Sequence, residues 1–145
     1  MHKILRAGER HRKEINRLIR KAKIGSGLDR NEPIKNFWIV RNQNQVIACA
    51  GLDFYNDFAI LTTLVVDKEF RHQHIGGSLI QHRLNVAKQS GAKMVALVTM
   101  YYHFNFYKRR GFKTCPRKDL PESIKDYSQF TAKRYKKCAV MFRTI

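Results

Sequence analysis

Between Leu64 and Gln89 the chain reads LVVDKEFRHQHIGGSLIQHRLNVAKQ, an apolar run, a polar loop and a helical pattern in succession. The run Phe58–Val66 has strand character. From about Gly76 to Gln89, Leu79, Ile80, Leu84 and Ala87 fall on one helical face, and Ser90-Gly91 closes the helix. Lys93–Thr99, which contains MVALV, reads as a buried strand. A strand, loop, helix and strand in this order make a crossover unit, expected to be right-handed. The loop sits at the carboxyl end of a strand, where open α/β sheets bind ligands. A helix that starts after a short, glycine-containing loop presents unpaired backbone N–H groups in one direction, and such a place binds phosphate.

The rest of the chain supplies partners for this unit. Ile4–Leu5 is a short strand candidate. From Glu9 to Ile24, Ile15, Leu18, Ile19 and Ala22 recur at helical spacing, with Arg10, Arg12, Lys13, Arg17, Arg20, Lys21 and Lys23 on the other faces. This is a basic amphipathic helix, expected to stop at Gly25 and Gly27. Its basic face reads first as a solvated surface and second as a contact for RNA or an acidic partner. Phe37–Val40, Val46–Phe54 and Phe58–Val66 are separated by the turn signals Asn42–Gln45 and Asn56-Asp57, the pattern of an antiparallel meander. Tyr102–Arg110 reads as an aromatic helix ended by Gly111, with most of its rings in the core. Phe112–Cys115 and Ala139–Arg143 are the last strand candidates, with a polar segment from Pro116 between them. The class is mixed α/β, a meander followed by one crossover, and residues 1–145 are long enough for one domain.

Composition narrows the function. There is no apolar run near the ~20 residues that a membrane span requires, and the N-terminal MHKILRAGERHRK lacks the apolar stretch of a secretory signal. Cys49, Cys115 and Cys138 are odd in number and widely spaced, which fits reduced thiols in a cytoplasmic setting. His72, His74 and His82 have no acidic or cysteine companion at a zinc spacing, so no metal is expected. Against 11 acidic side chains stand 29 Lys and Arg, a formal charge of +18. Such a field attracts anions. A nucleotide-bearing cofactor, an anionic small molecule and nucleic acid all fit.

Neither GxxxxGK[ST] nor GxGxxG is present, which argues against a P-loop nucleotidase and a dinucleotide fold. Arg71-His72-Gln73-His74-Ile75-Gly76, after a strand ending in LVV, resembles the Q/R-x-x-G-x-G/A motif of the GCN5-related N-acetyltransferases (GNATs). Phe106-Tyr107-Lys108-Arg109-Arg110-Gly111-Phe112 resembles that family's FYxxxGF. The two motifs stand in the family's order, with a helix and a strand between them. LPESIKDYSQF, and later CAVMF, is similar to the tail of small amino-acid acetyltransferases related to N-acetylglutamate synthases.

The resemblance implies a mostly antiparallel sheet of six to seven strands flanked by about four helices, with a cleft where the fourth strand splays from the fifth. It implies acetyl-CoA as co-substrate. The main chain of Leu64, Val65 and Val66 would line the pantetheine arm. The loop Arg71, His72, Gln73, His74, Ile75, Gly76, Gly77 and Ser78 would surround the pyrophosphate. His74 stands where the family usually has glycine, so a left-handed backbone there would cost ~1–2 kcal/mol.

The implied reaction moves acetyl to a primary amine of a small molecule or amino acid by direct attack in a ternary complex. Tyr107 matches the family tyrosine that protonates the leaving thiolate, and it would also contact the coenzyme. The position of the usual glutamate base falls at Ile60. Asp53, His103 and a water held by Thr62 and Thr63 are the nearby candidates. Homodimers are common in the family. The alternative is a basic RNA- or ribosome-associated module with the same fold and little turnover.

Overall fold

Seven strands form one open sheet in the order β1-β2-β3-β4-β5-β7-β6 in the computed structural model, which describes residues 2–25, 27–28 and 30–145. They are β1 (Ile4–Arg6), β2 (Phe37–Asn42), β3 (Gln45–Tyr55), β4 (Phe58–Val66), β5 (Met94–Thr99), β6 (Lys113–Cys115) and β7 (Ala139–Thr144). The α-helices are α1 (Arg12–Lys21), α2 (Ile75–Gln89), α3 (Phe104–Lys108) and α4 (Ser128–Thr131). The β1–β2, β2–β3, β5–β7 and β6–β7 pairs are antiparallel. β4 and β5, joined through α2, are parallel. Their ladder ends at Ile60 opposite Ala96, although β4 runs on to Val66. This is the mostly antiparallel sheet with four helices that the motifs implied.

The chain divides into two compact units, Met1–Leu52 with Thr63–Arg83, and Asp53–Thr62 with Leu84–Ile145. In the first, Ile15, Leu18 and Ile19 of α1 pack with Phe37, Ile39, Cys49 and Val65. The polar face of α1 is partly structural. Glu14 accepts the Val46 N–H at 3.0 Å, Arg17 donates to the Val46 carbonyl at 3.4 Å, and Lys21 pairs with the buried Asp67 at 3.4 Å. Burying Asp67 without the Lys21 ammonium would be costly.

The helix ends where a backbone device stops it, earlier than the glycines suggested. Lys23 has φ 60°, its N–H bonds to the Arg20 carbonyl, and the Ile24 N–H bonds to the Ile19 carbonyl. That is a Schellman motif with lysine in the left-handed seat. Gly111, φ +86°, ends α3 the same way, its N–H on the Lys108 carbonyl and that of Phe112 on the Tyr107 carbonyl.

Two expectations change in the second unit. The aromatic segment is a 3-10 turn, Tyr101–His103, followed by the short α3, and its rings are not core. Tyr101 and Tyr102 are 73% and 64% exposed. The segment after Pro116, read as polar, instead supplies core. Leu120, Ile124, Tyr127 and Phe130 pack with Phe58, Ile60, Ala96 and Val140. Their spacing of four, three and three residues is a helical stripe interrupted by turns. Arg117 holds that segment, donating to the carbonyls of Phe130, Cys138 and Tyr135 at 2.7–2.8 Å.

Candidate active site

Val65 is buried in the first unit's core, which fixes the strand's rotation. By alternation its neighbours Leu64 and Val66 turn to the other face, and both are half-buried. Asp67 ends the strand. Its N–H bonds to the Ile47 carbonyl at 2.8 Å, and its carboxylate caps the next turn by accepting the Glu69 N–H at 3.0 Å. That N–H, with the Lys21 ammonium, holds the Asp67 carboxyl below the usual range despite burial. Gln73 Oε1 and His2 Nε2 lie 3.0 Å apart and tie the loop to the start of the chain. Arg71, His72, Gln73 and His74 are all exposed.

The loop is strained at two residues. His72 has φ 65° and His74 φ 64°. Each left-handed non-glycine residue costs ~1–2 kcal/mol, although histidine tolerates the region better than most. The His74 carbonyl accepts the Ser78 N–H at 3.1 Å, so α2 begins at that point. By helix geometry the N–H groups of His74, Ile75, Gly76 and Gly77 then have no carbonyl within the helix. A left-handed residue followed by a helical one turns successive N–H groups into one concavity, a form that suits anions. Ile75 anchors the turn at 5% exposure.

Two loop residues bond within the chain. The Ser78 N–H is spent within the helix, so only its exposed hydroxyl remains for a ligand. Arg71 Nε donates to the Val66 carbonyl at 3.3 Å and folds back on the strand end.

Arg83 is a component that periodicity alone does not reveal. It is 0% exposed, and its Nε donates to the Leu79 carbonyl at 3.2 Å. Its Nη1 donates to the carbonyls of Gly51 at 2.7 Å and Thr63 at 3.4 Å. One guanidinium therefore joins α2, β3 and β4 directly before Leu64. An arginine on the apolar face of an otherwise regular helix was its sequence signal.

Tyr107 belongs to the second unit. Its ring is half-buried, edge-on to Phe106 at 5.2 Å and to Phe112 at 5.8 Å. Of the base candidates, Asp53 accepts the Phe54 N–H at 2.9 Å and the Tyr127 hydroxyl at 2.8 Å. Ile60 is fully buried. His82 stands edge-on to Trp38 at 5.6 Å. Among the described residues no three His, Cys, Asp or Glu side chains gather as a metal site would require, and no helix is long and apolar enough to cross a membrane.

The profile of the acetyltransferase (GNAT) domain matches residues 33–114, from just before β2 into β6. The chain belongs to the GNAT family. An uncharacterized N-acetyltransferase of Chlorobaculum tepidum is 31% identical over 94 residues, covering 64% of this chain and 59% of that protein. The chain thus spans under two thirds of that relative. The N-acetylglutamate synthase of Neisseria gonorrhoeae, solved with coenzyme A and N-acetyl-glutamate, superposes with TM-score 0.84 at 20% identity. That match covers 99% of this chain and 35% of the synthase. A Mycobacterium tuberculosis protein solved with CoA and NLQ superposes with TM-score 0.83 at 19% identity, covering 99% of both chains. At these identities the structural matches establish the GNAT fold.

Proposed function

We propose that this GNAT protein transfers acetyl from acetyl-CoA to the primary amine of a small molecule or amino acid. The observation that carries the reading is the His74–Gly77 turn, a left-handed residue leading into a helix N-terminus in the loop that follows the strand end Leu64–Val66. His74, Ile75, Gly76 and Gly77 would donate backbone N–H groups to the pyrophosphate. Hydrogen bonds to a charged group contribute ~1.5–3 kcal/mol each, enough to outweigh the strain at His72 and His74. Leu64 and Val66 would pair with the pantetheine arm along the strand. The Val66 carbonyl has two lone pairs and can keep its Arg71 bond.

In the reaction the amine must arrive neutral, and its nitrogen bonds to the thioester carbon as the carbon–sulfur bond breaks. The Val66 N–H would stabilise the charge that develops on the carbonyl oxygen. Tyr107 would give its phenolic proton to the departing thiolate and regain one from solvent. The amine's excess proton would leave through water near the half-buried Thr62 and Thr63, because Asp53 already serves Tyr127 and Phe54. The basic field favours an acceptor with a carboxylate, as does the N-acetyl-glutamate in the Neisseria synthase.

Thermal shift with acetyl-CoA and with CoA tests binding, and thiol release across a panel of amino acids and simple amines tests transfer. Stabilisation by both coenzyme forms, with thiol release on at least one amine, is expected. No stabilisation by either form would overturn the reading.

A further inference from the structure

Two stretches of the second unit, Met94–Lys118 and Tyr127–Ile145, contain no Asp or Glu. Sheet register brings them together, because Thr99 of β5 lies opposite Ala139 of β7. One residue beyond that pair, Cys138 Sγ is 3.3 Å from Met100 Sδ. On the β5 side the chain continues into Tyr101 and Tyr102, the most exposed large apolar side chains among the described residues, with rings edge-on at 5.5 Å. On the β7 side lies Lys133-Arg134-Tyr135-Lys136-Lys137. Its four cationic residues are exposed, and the Arg134 guanidinium lies over the Tyr135 ring at 4.9 Å. The Arg117 bonds to the carbonyls of Tyr135 and Cys138 hold this turn in shape.

We propose that this end of the second unit is a docking surface for single-stranded RNA. Exposed tyrosine faces offer stacking to unpaired bases, and the lysines and Arg134 offer charge to the phosphates between them. An acidic protein would use the cations but gain little from two tyrosines held open to water. The basic helix α1 is the weaker candidate, since Arg17 and Lys21 already serve Val46 and Asp67. RNA docking here does not require acetyl transfer, and its test does not involve the coenzyme.

Fluorescence anisotropy with a short labelled oligouridine tests it, alongside a duplex RNA of equal length and polyglutamate as competitor. The double variant Tyr101→Ala/Tyr102→Ala is expected to bind oligouridine about thirtyfold more weakly or worse, since each of two stacked bases contributes ~1–3 kcal/mol. Lys133→Ala/Lys136→Ala/Lys137→Ala should lower the slope of log affinity against log salt by about 2, at roughly 0.7 per lost phosphate contact. Lys3→Ala/Lys13→Ala, in the first unit, should change neither. If the double tyrosine variant melts early, Tyr101→Ala alone carries the stacking test. The proposal fails if the tyrosines do not affect affinity, if duplex or polyglutamate binds as well as oligouridine, or if the first-unit control loses as much.

Discussion

Tyr127 donates its hydroxyl proton to Asp53 Oδ2 at 2.8 Å, from a segment more than seventy residues further along the chain. Tyr127 is buried and Asp53 half-buried, so the bond fastens the segment after Pro116 to the end of β3. Asp53 is then a structural acceptor. Tyr127→Phe and Asp53→Asn should each lower stability by ~1–2 kcal/mol, and the double variant by clearly less than the sum. Urea unfolding of the four proteins measures this. A change in the pH profile of kcat for Asp53→Asn, with stability intact, would return Asp53 to the role of base.

His74→Gly should stabilise the protein. Glycine takes φ 64° without the Cβ penalty, which recovers about 1 kcal/mol. For a chain of 145 residues that is a rise of about 3 °C in Tm. Coenzyme A affinity should hold or improve, because the donors are backbone N–H groups. Thermal melts and calorimetric titration check both. A loss of affinity of tenfold or more would show that the His74 ring itself holds the ligand.

Acid should weaken the fold in two steps. Burial, then Arg6 and Arg83, lower the pKa of His82, and burial, then Arg10 and Arg41, lower that of His11 despite Glu14. Both rings are favoured neutral when folded. Their contribution is complete above the unfolded value of ~6.5 and is lost as pH falls through the lower folded values. Asp67, also lowered, adds a further loss only below ~4. Tm measured from pH 7.5 downward should therefore decline from about pH 6.5, and less steeply in His82→Gln. An unchanged slope in that variant would remove His82 from the account.

Cys49 should resist alkylation. Burial pushes its thiol up to about 12, only partly offset by Arg83, and the residue is 0% exposed. Iodoacetamide at pH 8 should modify Cys115 and Cys138 first, both half-buried, with Cys49 reacting only in denaturant. Mass spectrometry of timed digests reads the order.

Elements with strict periods are legible in the sequence. The meander, the α2 stripe and β5 follow from spacing, and the two motifs point to the turn into α2 and to Tyr107. Tertiary contacts decide the rest. Lys23 shows no sign of a left-handed cap in the sequence, because only the surrounding carbonyls make it one. The core role of Leu120, Ile124, Tyr127 and Phe130 is hidden by the polar residues between them. Arg117 looks like surface charge until its carbonyl partners are placed, and Arg83 shows only as an arginine on an apolar helix face. Part of the +18 charge is therefore internal bonding, which neither composition nor spacing expresses.

Tyr107→Phe separates binding from chemistry. The ring packs edge-on against Phe106 and Phe112, and phenylalanine keeps both contacts, so coenzyme A affinity should barely move. If the hydroxyl protonates the leaving thiolate, kcat and kcat/KM fall together by about 10²–10⁴, the usual range for a general acid. The deficit should shrink with an acetyl thioester of a more acidic thiol, whose departing anion needs less protonation. Equal rates for the variant on the natural thioester would assign the hydroxyl to packing and leave solvent as the proton source.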